Sequence, residues 1–163
     1  MSDVHLTEVK IYSDGSSRGN PGPGGYGSII QFRDGKGQVH EKEFSCGYKV
    51  TTNNRMELLG AIVALEGLTR PCHVVLTSDS KYLVDAFNQG WIYNWQLKGW
   101  RKSSKEPVKN VDLWERLLAA MKPHKVDFVW VKGHDGHPEN ERCDKLATTA
   151  ADGEDLQEDD WDH

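Results

Sequence analysis

The sequence predicts an α/β fold with a five-stranded mixed sheet, made of an antiparallel meander plus parallel strands and flanked by helices. Three strand-like segments follow one another with short links at the start of the chain, which indicates an antiparallel meander. Helical and strand-like segments then alternate, and a strand reached through a helix usually lies parallel to its neighbour. With 163 residues, 37% of them hydrophobic, the chain is long enough for one domain with its own core.

The first three predicted strands are separated by turn residues. Residues 4–13 alternate apolar and polar side chains, which predicts a strand that ends at Asp14. Residues 15–27 contain six glycines and two prolines, and we interpret them as a shaped turn. Residues 26–33 and 39–48 are predicted to form the next two strands.

A helix predicted over residues 51–68 begins with Thr and Asn, which are good N-cap residues. From Met56 to Leu65 it has no polar stripe, so we expect it to be buried. Glu57 is the one ionisable residue of that stretch, and the pattern places it in the first turn. Glu57 therefore either caps its own helix or serves as a cation ligand that the helix dipole favours.

The second half of the chain alternates strands and helices. Residues 73–77 are a continuous apolar run, which predicts a strand that ends at Asp79 as the first strand ends at Asp14. Asp144 lies early in the last predicted helix. The remaining elements are predicted to be helices over residues 81–89, 91–97 and 110–121, a strand over residues 126–131, and a last helix opened by Pro138.

The net charge of −5 is unevenly distributed. Residues 152–163 contain seven acidic residues and no Lys or Arg, which leaves 20 basic and 18 acidic residues in residues 1–151. We therefore divide the chain into a single domain, residues 1–151, and an acidic tail, residues 152–163. The tail should be mobile unless a basic group holds it. It either shields a basic surface of the same chain or only improves solubility.

Several classes of protein are disfavoured by composition. No apolar run approaches the roughly 20 residues of a membrane span, and we expect a cytoplasmic protein that acts as a monomer. The three cysteines contain no CxxC pair, so neither a disulfide framework nor a zinc site is indicated. The glycine-rich stretch lacks the GKS, GKT and GxGxxG patterns of nucleotide-binding loops.

The segment from residue 96 to residue 109 combines five basic residues with a single acid, Glu106, and has Trp95 and Trp100 beside or within it. Cations can contact phosphates and aromatic rings can contact sugars or bases, so this composition is typical of a nucleic-acid-facing loop. A solvated charged loop is the alternative. The basic residues are Lys98, Arg101, Lys102, Lys105 and Lys109.

Four acids lie at the ends of predicted elements: Asp14, Glu57, Asp79 and Asp144. Ligands collect where strands end and helices begin in open sheets of this kind. If the four converge, their oxygen atoms suit Mg²⁺ or Mn²⁺ better than zinc. Paired divalent ions of this sort catalyse phosphodiester cleavage. The spacing of the acids alone does not establish that they meet.

Several segments together resemble a known family. They are YSDGS at residues 12–16, GNPGPGGYG at 19–27, TNNRMEL at 52–58, TSDS at 77–80, PVKNVDLW at 107–114, WVKGH at 130–134 and GHPENERCD at 136–144. Their order and identity are similar to those of bacterial type 1 ribonuclease H, over about residues 9–151. The resemblance implies a ribonuclease H-like fold and an endonuclease that hydrolyses the RNA strand of RNA–DNA hybrids, leaving 5′-phosphate and 3′-hydroxyl ends.

The resemblance also implies roles for individual residues. Asp14, Glu57, Asp79 and Asp144 match the family's metal-binding carboxylates, which hold two Mg²⁺ ions with substrate, and Mn²⁺ may replace Mg²⁺. His134 matches a loop histidine that helps the attacking water form or the product leave. The positions that match substrate-binding residues are Asn20, Thr52, Asn53, Asn54 and Lys81 around the hybrid, and Trp91, Trp95, Lys98, Trp100, Arg101 and Lys102 in a basic protrusion that grips the DNA strand.

The sequence departs from the family pattern at a few positions. Gln96 and Leu97 stand where basic residues are usual and Lys81 replaces a frequent glutamine, so we expect a weaker grip on substrate that Lys81 partly offsets. Asp135 beside His134 either stabilises its imidazolium form, so that activity extends to lower pH, or is an uncoupled loop acid. Two alternative functions remain: a catalytically silent module that binds RNA–DNA hybrid or double-stranded RNA, or another nuclease of the same fold, such as a junction resolvase or an integrase core.

Overall fold

The computed structural model describes residues 6–133 and 137–161. Within these ranges the chain forms six strands and five helices. The elements are β1 (Thr7–Ser17), β2 (Gly22–Arg33), β3 (Val39–Thr51), α1 (Asn53–Glu66), β4 (Cys72–Ser78), α2 (Lys81–Asn88), α3 (Trp91–Leu97), α4 (Val111–Met121), β5 (Lys125–Trp130), α5 (Pro138–Ala151) and β6 (Leu156–Gln157).

All the strands belong to one mixed sheet with the order β5-β4-β1-β2-β3-β6. β1, β2 and β3 form the antiparallel meander, and β4 and β5 add to it in parallel, so the predicted fold class is confirmed. The expected number of five strands is one too low. The sixth strand, β6, pairs in parallel with β3 through Gly47 and Leu156. It is two residues long and lies in an acid-rich segment, so it leaves no hydrophobic period in the sequence.

The predicted end of the first strand at Asp14 is wrong. β1 continues to Ser17, because β2 remains paired with it as far as Gly24. The parallel pairing of β1 with β4, however, stops at Tyr12. Asp14 therefore lies just beyond the end of β4, on a strand that continues beside β2 alone.

The interpretation of residues 15–27 as a turn is also wrong, because β2 begins at Gly22. Glycine is required here by close packing as well as by turning. A Cβ atom on Gly27 would lie 2.4 Å from a backbone oxygen of α5, and one on Gly25 would lie 2.6 Å from another. The missing side chains let the backbone of α5 lie directly on the strand.

Helices cover both faces of the sheet. A Cβ atom on Gly15 of β1 would point at the backbone of α1. Asp14, the residue before it, is paired with Gly27 of β2, and a Cβ atom on Gly27 would point at α5 on the other face. α1 is buried from Arg55 to Ile62 and packs against α4 as well as the sheet, which confirms the predicted buried helix. Thr52 is its N-cap and accepts a hydrogen bond from the Arg55 amide.

The acidic tail is held by basic residues. Asp152 pairs with Arg18 at 2.7 Å, Glu158 with Lys49 at 3.1 Å, and Asp159 with Arg55 at 2.8 Å. The tail was expected to be mobile unless a basic group held it. Three basic residues do so: Arg18, Lys49 and Arg55. Contacts with the body therefore extend past the division expected at residue 151.

Candidate active site

Three of the four predicted carboxylates meet at one end of the central strands. Asp14, Glu57 and Asp79 each offer an oxygen atom within 4.8 Å of the others. Asp14 lies on β1 just past the end of β4, and Asp79 directly follows β4. Glu57 extends from α1, where it lies in the second turn rather than the expected first turn, because the helix begins at Asn53.

The backbone amide of Gly15 joins two of these carboxylates. It donates to Oδ1 of Asp14 at 2.9 Å and to Oε1 of Glu57 at 3.0 Å. The other oxygen of Glu57, Oε2, is buried and has no hydrogen-bond partner among residues 6–133 and 137–161. A buried carboxylate oxygen without a partner is costly, so this atom needs a cation or a proton.

The local environment favours the protonated forms of these acids. Burial, followed by the charge of Asp79, raises the pKa of Asp14 from 3.8 to about 7. Burial, followed by the charge of Asp14, raises the pKa of Glu57 well above its ordinary value. Both shifts have the causes expected for like charges collected in a poorly solvated place.

A divalent cation would offset the repulsion among these buried carboxylates. The donor set is entirely carboxylate oxygen, which hard cations such as Mg²⁺ and Mn²⁺ prefer, and it includes the unpartnered Oε2 of Glu57. The residues present therefore fit a divalent metal ion. A bound cation would also favour the ionised carboxylates and reverse the shifts in pKa.

Asp144 lies at the edge of this cluster rather than within its closest group. It extends from α5 and lines a small pocket of about 20 Å³ together with Asp14 and Asp79. Its charge contributes to the raised pKa of Asp14, although less than burial and Asp79 do. The four predicted acids thus share one site, with three in close contact and the fourth across the pocket.

The loop after β5 brings its backbone against Asp79. A Cβ atom on Gly133 would lie 2.8 Å from Oδ2 of Asp79, so this position favours a residue without a side chain. His134, predicted to assist the reaction, and its neighbour Asp135 lie outside the described residues. The other lining residues of the pocket are Lys132, His137, Asn140 and Glu141. These four residues lie within the family motifs WVKGH and GHPENERCD, but the sequence alone indicated no role for them.

Three predicted substrate residues line a groove of about 1000 Å³ beside the start of α1: Asn20, Thr52 and Asn54. Oδ1 of Asn20 accepts a hydrogen bond from the backbone amide of Asn53 at 3.2 Å, which ties the loop before β2 to α1. Asn53 and Asn54 are exposed. We call this surface the α1 groove.

Lys81 lies at the start of α2. Its Nζ atom is 4.8 Å from the centre of the Trp130 ring. The Trp130 Nε1 group donates to the backbone oxygen of Asp79 at 3.1 Å. Trp130 therefore contacts both the ammonium group of Lys81 and the backbone of Asp79, which is a residue of the cluster.

The predicted basic protrusion is built on the core. Trp95 packs against the buried Trp114 with ring centres 5.5 Å apart, and Trp100 is also half-buried. Trp91 is 45% exposed. The basic side chains of this segment are on the surface: Lys98, Arg101 and Lys102. Two of the three tryptophans therefore anchor the segment, and the cations and Trp91 face solvent.

Arg55 is a site residue whose role sequence reasoning missed. Its side chain is only 2% exposed, and its guanidinium uses all five N–H donors, bonding to Asn110, Asp112 and Asp159. Burial alone would lower the pKa of Arg55, but these hydrogen bonds outweigh it and raise the pKa. Its position inside the TNNRMEL motif was the available signal.

Buried carboxylates that fit a divalent ion, at the end of the central strands of a mixed sheet, are typical of one class of protein, the metal-dependent hydrolases of phosphodiesters. A family model for RNase H matches residues 7–152 of the chain. The chain therefore belongs to the ribonuclease H family, whose members are endoribonucleases.

Individual relatives agree with this family. A ribonuclease H of Lachnoclostridium phytofermentans is 63% identical over 153 residues, covering 93% of this chain and 97% of the relative. One from Klebsiella pneumoniae is 59% identical over 146 residues, covering 90% of each chain.

Solved structures give the same result. LC9-RNase H1, a type 1 RNase H with the type 2 active-site motif, superposes with a TM-score of 0.82 at 35% identity, covering 92% of this chain and 74% of its own. LC11-RNase H1, crystallised with an RNA/DNA hybrid, has a TM-score of 0.65 at 29% identity, covering 88% of this chain and 96% of its own.

Among the described residues, no helix has the length and apolar character needed to cross a membrane.

Proposed function

We propose that the protein is an endonuclease that hydrolyses the RNA strand of RNA–DNA hybrids and leaves 5′-phosphate and 3′-hydroxyl ends. The observation that carries this proposal is the cluster of Asp14, Glu57 and Asp79, with its unpartnered buried oxygen, in a chain of the ribonuclease H family. A module that only bound nucleic acid would gain nothing from buried carboxylates that repel phosphate.

The proposed cofactor is Mg²⁺, with two ions at the site when substrate is bound and Mn²⁺ able to replace them. Asp14, Glu57, Asp79 and Asp144 would hold the ions. This assignment is supported by the close carboxylate group of Asp14, Glu57 and Asp79 and by the pocket that Asp144 lines together with Asp14 and Asp79. When bound, such ions activate the attacking water and stabilise the leaving oxygen.

The chain's own residues have separable tasks in this proposal. The carboxylates would hold the cations that receive the scissile phosphate at the end of β4, and the packing of β1 and α1 keeps the carboxylates in position. The family resemblance assigns His134 one of two tasks: its imidazole ring accepts a proton from the attacking water, or it helps the product leave.

Substrate recognition is assigned to the surfaces on either side of the cluster. Asn20, Asn53 and Asn54 contact the minor groove of the hybrid, where 2′-hydroxyls distinguish RNA from DNA. Thr52, with Asn20, receives a phosphate of the DNA strand. The remaining proposed contacts are those of Lys81, Trp91, Trp95, Lys98, Trp100, Arg101 and Lys102.

We further propose that the protein works as a monomer in the cytoplasm. The support for a monomer is that one chain supplies all four carboxylates, the α1 groove and the basic segment. Sedimentation of the purified protein with and without hybrid would measure the oligomeric state directly.

Charge-removing variants test the metal site. We expect Asp14→Asn, Glu57→Gln and Asp79→Asn to lose both Mg²⁺ binding, measured by calorimetry, and cleavage of a labelled hybrid. Asp127→Asn is the matched control, because Asp127 is an exposed aspartate on β5 that pairs with His73 at 2.7 Å. Full cleavage by any of the first three variants would contradict the assignment.

A further inference from the structure

The end of the acidic tail reaches the α1 groove. Asp160 and Trp161 line this groove together with Asn20, Thr52 and Asn54. We infer that Asp160, held in place by its two neighbours, opposes phosphate at the α1 groove and so limits the affinity for nucleic acid. The inference rests on the proposed function, because it takes the groove to be a path for the DNA strand.

Asp159 anchors the tail from one side. Its carboxylate accepts from Nε of Arg55 at 2.8 Å and from Nη2 at 3.1 Å, and also from the hydroxyl of Thr51 at 2.6 Å. The side chain of Asp159 is only 6% exposed. A bidentate, nearly dry pair of this kind holds its partners in one geometry.

Trp161 anchors the tail from the other side. Its Nε1 group donates to the backbone oxygen of Val50 at 3.0 Å. Its ring lies over the Arg55 guanidinium, with the Cζ atom 5.2 Å from the ring centre. Asp160 therefore lies between two fixed residues, and its own side chain is exposed towards the groove.

The charge balance of the groove makes Asp160 consequential. Its charged lining residues are Arg55, Lys109, Asp112 and Asp160. Arg55 spends its donors on carboxylates and on Asn110, so it has none left for a phosphate. Lys109 forms no ion pair with the described residues, and it is the lining cation that can meet a phosphate. Asp160 opposes that attraction.

The expected effect is one of affinity rather than of chemistry. Asp160 lies in the groove, not among the acids of the metal cluster, so kcat should be unchanged. We expect Asp160 to change the affinity about two- to five-fold, which corresponds to about 0.4–1 kcal/mol, within the range of an exposed charge pair. Salt should reduce the effect, because screening weakens interactions between exposed charges.

The test compares Asp160→Asn with Asp155→Asn. Both remove one tail charge, but Asp155 is exposed and is not among the lining residues of the groove. The dissociation constant of a fluorescent RNA–DNA hybrid would be measured in EDTA by anisotropy, at low and at high salt, with KM and kcat measured separately in Mg²⁺.

We expect Asp160→Asn to bind the hybrid about two- to five-fold more tightly at low salt, with lower KM, unchanged kcat and little difference at high salt. Asp155→Asn should match the wild type. Trp161→Ala should also tighten binding, because it releases Asp160 from the groove.

Two results would overturn the inference. Equal affinities for Asp160→Asn and Asp155→Asn, in a protein that cuts the hybrid, would refute the role of Asp160 and leave the proposed function intact. A wild-type protein that neither binds nor cuts the hybrid would refute the proposed function, and the inference with it.

Discussion

Replacing Asp14 with asparagine should stabilise the metal-free protein. The cluster raises the pKa of Asp14 from 3.8 to about 7, chiefly through burial and the charge of Asp79. A pKa difference of one is worth about 1.4 kcal/mol, so the ionised carboxylate costs at most about 4 kcal/mol of stability. Since Glu57 shares the same repulsion, we expect Asp14→Asn to gain about 1–3 kcal/mol at alkaline pH.

The pH dependence gives the sign of this effect. Because the folded-state pKa of Asp14 is above the unfolded value, the folded protein keeps a proton that the unfolded chain releases. The contribution of Asp14 to the stability of the metal-free wild type should therefore fall as pH rises from about 4 to about 7, and then level off. Asp14→Asn lacks this contribution, so its advantage over the wild type should be small in acid and largest above neutrality.

Urea unfolding in EDTA, followed by circular dichroism at acidic and alkaline pH, measures both quantities. Adding Mg²⁺ should stabilise the wild type more than Asp14→Asn, since ligand binding to the folded state adds stability. Asp127→Asn is the control, because the His73 hydrogen bond lowers the pKa of Asp127 and its removal should not stabilise. If Asp14→Asn is no more stable than wild type at alkaline pH, the reasoning is refuted.

Three further substitutions test the packing around the site. Arg55→Ala should cost about 3–5 kcal/mol in urea unfolding, since it leaves buried partners without their cation; a loss below 1 kcal/mol would contradict this. Gly27→Ala should cost about 1–3 kcal/mol by thermal unfolding because α5 occupies the Cβ position, whereas Gly35→Ala, with open space around it, should be nearly neutral. Gly133→Ala should displace Asp79 and lower kcat by about tenfold or more, with folding intact by circular dichroism; unchanged kcat would refute that contact.

The predictable parts of the fold are those with a local pattern. α1 could be identified as a buried helix because its long apolar run leaves no polar stripe and follows a clear N-cap at Thr52. The parallel position of β4 followed from the helix that precedes it. Both inferences depend on residues close together in sequence.

The glycines of residues 15–27 have two physical uses, which the sequence does not distinguish. A glycine can permit a turn, or it can leave room for another backbone, and Gly25 and Gly27 do the second. The partner is α5, more than 100 residues later in the chain. The prediction that β1 ends at Asp14 was wrong for a related reason: β1 continues to Ser17 because it pairs with β2, and the local sequence does not show this pairing.

The candidate site was predictable as a set of residue types but not as a geometry. The four acids were named from their positions at element ends and from the family resemblance, and the structure brings Asp14, Glu57 and Asp79 together, with Asp144 across the pocket. The bond between Arg55 and Asp159 spans 104 residues, so no local pattern indicates it.

The most direct test of the proposed activity is cleavage of an RNA–DNA hybrid with both strands labelled, beside matched double-stranded RNA and double-stranded DNA, with Mg²⁺ and with EDTA. We predict internal cuts in the RNA strand of the hybrid alone, with 5′-phosphate and 3′-hydroxyl ends, that require Mg²⁺ and disappear in Asp14→Asn. Binding of the hybrid without any cleavage in Mg²⁺ or Mn²⁺, or cleavage that persists in EDTA, would contradict it.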